Sequence, residues 1–227
     1  MISYLIVFLY LLSGTFHLAY AQTQTPYHKI KVKYGGIDMS DRLSKEEGRY
    51  LIELARDTIH KRLFNKGLRE MSPPPSVKLN QRRGTFVTLT IDGNLRGCIG
   101  HIAPKGSIIE GVKENAINAA FYDPRFRPLS KKEFDTIKIE VSILTNPEPL
   151  EYRDASDLLA KLRPGIDGVI IKKGHYQATF LPQVWEQLPN KEDFLTHLCL
   201  KAGLDPDIWR EEKLEVLTYQ VQAFEEE

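Results

Sequence analysis

The hexapeptide Leu95-Arg96-Gly97-Cys98-Ile99-Gly100 sets a permanent cation two residues from a thiol. Residues two apart in a strand share a face, so Arg96 and Cys98 read as neighbours, with Leu95 and Ile99 on the other side. A guanidinium beside a thiol favours the thiolate, the nucleophilic form. The chemistry implied is a Cys98 nucleophile or redox thiol, with Arg96 holding an anionic group. Gly97 and Gly100 weaken a strand unless backbone or a ligand must come close, which makes both candidate binding positions. The competing reading is a packed cysteine in a glycine-softened strand, with Arg96 in an ion pair. His101 follows at odd spacing, which turns it away from the thiol. Asp123 and Arg125 flank Pro124 in a loop, either as a binding pair or as an ion pair that pins the loop. Glu140 stands mid-strand, on a solvated face or, if that face is covered, in need of Arg96 or Arg125 as partner. Gln183 is a further candidate pocket residue, and Cys199 reads as core.

The elements that must position these residues follow from punctuation. Thr85–Ile91 is rich in β-formers, and Asp92-Gly93-Asn94 turns the chain back into the hexapeptide as a hairpin. Ser44-x-x-Glu47 and Ser107-x-x-Glu110 are capping boxes opening two amphipathic helices, the first about 22 residues long with Gly67 as its left-handed cap. Residues 137–144 alternate, with Ile137, Ile139, Val141 and Ile143 on one face. Further on, the pattern predicts a short helix over 155–162, a hairpin around Lys173-Gly174-His175, a helix over 192–202 ended by Gly203, and a β-rich stretch over 213–223. The class expected is α+β, a mainly antiparallel sheet flanked by helices.

The segments Gly84–Leu89, the hexapeptide, Asp123-Pro124-Arg125-Phe126, Ile139-Glu140-Val141-Ser142, Leu181–Trp185 and Leu198–Leu204 together resemble the AMMECR domain family. Its microbial members are called AmmeMemoRadiSam system protein A. The resemblance spans roughly Leu43 to the C-terminus. It implies a larger α+β part with a smaller β-containing subdomain, and partners of two kinds, a Memo-like protein and a radical S-adenosylmethionine enzyme. It implies no agreed reaction, so a non-catalytic interaction module stands beside the thiol chemistry.

The 227 residues carry 31 Lys+Arg against 30 Asp+Glu. That balance, with no basic stripe, argues against a nucleic-acid partner. Two distant cysteines make neither a disulfide framework nor a metal site. Residues 1–38 differ from the rest: Ile2–Leu12 is apolar, and Ala19-Tyr20-Ala21 has the form of a signal-peptidase site. No Lys or Arg precedes that run, however, and Ser13, Gly14 and His17 break it. Either it is a leader, giving an exported or membrane-anchored protein, or Met39 is the true start of a cytoplasmic domain spanning 39–227 without stable membrane association.

Overall fold

The computed structural model describes residues 9–12, 15–18, 42–66 and 71–226. The earliest of these form two short antiparallel strands, β1 (Leu9–Leu12) and β2 (Thr15–Leu18), with Leu12 opposite Thr15. The signal-peptidase site read at Ala19-Tyr20-Ala21, the start read at Met39 and the cap expected at Gly67 lie outside the described residues. From Arg42 on, the chain forms two compact units, one reaching Thr145 and regaining Gln222 onward, the other spanning Asn146–Val221.

The first unit opens with α1 (Lys45–Phe64), whose Ser44–Glu47 capping box forms as the sequence predicts. The helix ends earlier than expected, because Asn65 takes the left-handed position at φ 59°. Asparagine tolerates that conformation better than other side chains do. β3 (Thr85–Ile91) and β4 (Asn94–His101) make the hairpin. Asp92 and Gly93 both have positive φ, as a tight turn matched to strand twist requires. α2 (Ile108–Phe121) starts from the second capping box, and β5 (Lys138–Leu144) pairs antiparallel with β3. With β10 (Val221–Glu225) the strand order is β10-β5-β3-β4, which leaves β4 at an edge.

Val87, Leu89, Ile139, Val141 and Ile143 line one sheet face at 0% exposure. Against them sit Leu51, Ala55 and Ile59 of α1 and Ile108, Val112 and Ala116 of α2, in a single cluster. Truncating one such leucine or isoleucine to alanine costs about 2–5 kcal/mol. The helices therefore cover one face only, and the even-numbered residues of β3 and β5 point the other way.

In the second unit β6 (Glu148–Pro149), β9 (Glu215–Tyr219), β7 (Gly168–Lys173) and β8 (Tyr176–Phe180) form a sheet in that order. Its core side is filled by α3 (Ala155–Lys161), α4 (Lys191–Ala202) and α5 (Ile208–Glu211). Trp185 stacks on Phe194 with centroids 3.6 Å apart and donates its indole N–H to the Asp167 carbonyl. The class is α+β, with two four-stranded antiparallel sheets in addition to the β1–β2 pair. The predicted β-rich stretch over 213–223 is two strands in different sheets, because the chain breaks pairing at Gln220 and changes unit. Among the described residues, no helix is long and apolar enough to cross a membrane.

Candidate functional site

Cys98 pairs with Thr88 across the hairpin, and Thr88 pairs with Glu140 on its other side. Cross-strand partners share a face. The row Cys98–Thr88–Glu140 therefore lies on the sheet face opposite the two helices. Thr88 Oγ1 donates to Cys98 Sγ at 3.3 Å, and Ser142 Oγ donates to Glu140 Oε1 at 3.1 Å. His101 pairs with Thr85 on the helix-covered face, away from the thiol.

The backbone of Cys98 is held from outside the sheet. Its N–H donates to Asp123 Oδ2 at 2.9 Å, and its carbonyl accepts from Arg125 Nη2 at 3.2 Å. Asp123 and Arg125 are themselves joined by two side-chain bonds, Nη2 to Oδ2 at 2.7 Å and Nε to Oδ1 at 2.9 Å. The Asp123 side chain is 1% exposed and that of Arg125 20%. Burial alone would raise the Asp123 carboxyl, but the Arg125 guanidinium and the Cys98 N–H outweigh it and hold the pKa below its ordinary value. The structure thus brings three candidates, Cys98, Asp123 and Arg125, into one bonded group.

Arg96 goes elsewhere, against the expectation of a cation beside the thiol. Leu89 pairs with Gly97 and Thr90 with Leu95, so Arg96 is the extra residue of a β-bulge. The bulge puts Leu95 on the Cys98 face and re-aims Arg96 to Glu133, with Nε to Oε1 at 2.8 Å. Arg96 also donates to the Arg127 carbonyl at 2.8 Å. Its hydrogen bonds hold the Glu133 carboxyl down at about 2. The guanidinium groups of Arg96 and Arg125 lie 5.8 and 5.5 Å from the Phe126 ring centroid.

The thiol itself departs from the thiolate expectation too. Burial pushes the Cys98 pKa up, and the Thr88 hydrogen bond and Arg125 charge only partly offset it. Glu140 is neither a solvated carboxylate nor partnered by Arg96 or Arg125. Burial raises its pKa, Ser142 opposes weakly, and the Glu225 charge adds to the rise. At neutral pH the row therefore presents a protonated thiol near a carboxyl that resists ionisation.

Packing alone already asks for glycine at both motif positions. A Cβ on Gly97 would collide with the Ala119 carbonyl of α2, and one on Gly100 with the Phe86 ring and the Thr85 carbonyl. Gln183 is exposed on a 3-10 turn (Pro182–Glu186) in the second unit. Cys199 is fully buried on α4 and its thiol is raised to about 11 by burial. Sequence reasoning missed Glu133, Thr88 and Ser142. Glu133 carried a signal: Ser130-x-x-Glu133 is a capping-box pattern, and Glu133 indeed accepts from both the Ser130 N–H and hydroxyl.

A sequence model described as AMMECR1 matches residues 52–224, which include the hexapeptide, the clamp and Glu140. The chain belongs to the AMMECR1 family. A protein of Methanothermobacter thermautotrophicus is 44% identical over 187 residues, covering 82% of this chain and 97% of that protein. One from Methanocaldococcus jannaschii is 42% identical, covering 81% and 92% respectively. An uncharacterized protein of Pyrococcus horikoshii, known from its crystal structure, is 36% identical with a TM-score of 0.69, covering 82% of this chain and 94% of that one. The AMMECR1-family core thus contains the whole Cys98 group, from Thr88 to Glu140.

Proposed function

We propose that this AMMECR1-family chain works in the cytoplasm with a Memo-like protein and a radical S-adenosylmethionine enzyme, and that Cys98 is its working group in a small-molecule or protein-modification step. The observation that carries this is the clamp: a buried ion pair fixes both backbone groups of one residue and leaves that residue's side chain on the helix-free face. Family resemblance supports the partners, and two free cysteines fit a reducing compartment. Burial pushes the Glu140 carboxyl up, which favours the protonated form that a general acid needs. As Cys98 Sγ bonds to an electrophilic centre its proton passes to solvent, and Glu140 in its protonated form gives its own proton to the departing group and regains one from solvent.

The raised thiol favours a second reading, in which the same face docks a partner and does no chemistry, since a buried neutral thiol is a poor nucleophile. Co-purification separates the two. The chain would be mixed with both partners, metabolites retained, as wild type and as Cys98→Ser. Partner capture unchanged with turnover lost supports the thiol. Loss of capture itself supports docking, and no effect on either removes Cys98 from both roles.

A further inference from the structure

On the helix side of the sheet, α1, α2 and the connector over 71–74 line an open groove of about 720 Å³ that the Cys98 group does not touch. That volume falls among clefts that hold small molecules. Its floor is apolar: Leu54 is buried, and Tyr50, Met71 and Ile117 are half-buried. Pro73 and Pro74 form one wall, and their fixed backbone makes that wall preformed. Lys61, Arg62 and Lys113 are exposed in its lining beside one carboxylate, Asp57, and the Arg62 guanidinium lies 5.9 Å from the Phe121 ring centroid. The lining is therefore greasy below and net cationic above. Burial pushes the Tyr50 phenol up, so it stays a neutral hydroxyl beside the floor.

We infer that this groove binds a small amphipathic anion, an apolar body of drug size bearing one carboxylate, sulfonate or phosphate. The apolar body would displace water from Leu54, Ile117 and Met71, and the acid would sit among Lys61, Arg62 and Lys113. Charge complementarity sets the sign, because the lining carries three cations against one carboxylate, so an anion is attracted and a cation repelled.

The test is a fluorescence titration of the full chain with anilinonaphthalene sulfonate, beside the neutral N-phenylnaphthylamine that shares its rings. One saturable sulfonate site is expected, with the neutral probe at least about tenfold weaker, or about 1.4 kcal/mol. Lys61→Glu with Lys113→Glu should weaken the sulfonate about tenfold, leave the neutral probe unchanged and leave the unfolding midpoint in place. Thr58→Trp, at the groove wall, should block both probes. Unsaturable binding, equal affinity for the two probes, or indifference to the double charge reversal would overturn the inference. The lysines are exposed, so that arm stands even if Thr58→Trp fails to fold.

Discussion

Asp123→Asn is the most direct perturbation of the clamp. It keeps the side chain's shape but removes the charge that faces Arg125 through two bonds of 2.7 and 2.9 Å. Breaking a buried pair by removing one partner costs about 3–5 kcal/mol, mainly because the other charge is left stranded. Arg125 is 20% exposed, so water relieves part of that cost and the lower end applies, about 3 kcal/mol. At about 2–4 °C per kcal/mol for a chain of this size, the unfolding midpoint should fall by about 6–12 °C at pH 7. The sign with pH follows from the depressed carboxyl. Its contribution is whole above the ordinary value of 3.8 and disappears as pH falls through the lower folded value, so wild type and variant should converge in acid. Hydrogen exchange localises the effect: the Cys98 amide should lose protection more than the other β4 amides. A midpoint drop under about 3 °C, or unchanged protection at Cys98, would refute the claim that this pair holds the residue in place.

Four further outcomes follow from the same geometry. Cys98 should alkylate with iodoacetamide along a pH curve displaced above that of a free thiol, and Cys199 should stay unlabelled in the native state; ready labelling of Cys98 below pH 8.5 would contradict the raised pKa. Glu140 has a folded pKa above its ordinary 4.5, so its favourable contribution is lost as pH rises through the folded value; Glu140→Gln should therefore gain stability relative to wild type on going from pH 5 to pH 8 in thermal melts, and a constant difference would count against it. Arg96→Lys replaces a planar fork with a point charge, and carbon-detected NMR titration should find the Glu133 pKa risen from about 2 toward 4.5. Gly97→Ala drives a methyl into the Ala119 carbonyl and should cost about 1–3 kcal/mol, read from the urea midpoint.

Local signals in the sequence carried much of this fold. The two capping boxes, the Asp92-Gly93 turn and the alternation of residues 137–144 each report on neighbours within a few positions, and each sits where the pattern put it. Gly203 caps α4 with φ 77° for the same reason. What escaped were features set by distant partners. The bulge at Arg96 arises because Leu89–Gly97 and Thr90–Leu95 both pair well, and no alternation rule counts the residue left between them. The motif glycines looked like openings for a ligand, since a sequence does not show that Ala119 and Phe86 stand against them. Asp123 and Arg125 were legible as a pair, but the backbone they seize lies 25 and 27 positions away. The environment of Glu140, set first by burial and then by Ser142 and Glu225, likewise had to await the assembled sheet.

The Asp123–Arg125 pair also bears on how this molecule keeps to itself. β4 is a terminal strand, and an unpaired strand offers its outward N–H and C=O groups to any passing chain. At Cys98 those groups already meet one acceptor and one donor, the set that a ninth-hour neighbour strand would bring. An intruding strand would have to evict a buried ion pair to pair there. Two side chains thus occupy the outward groups of one edge residue without adding a strand, and the same bonds that steady a thiol discourage another strand from pairing with β4 at that point.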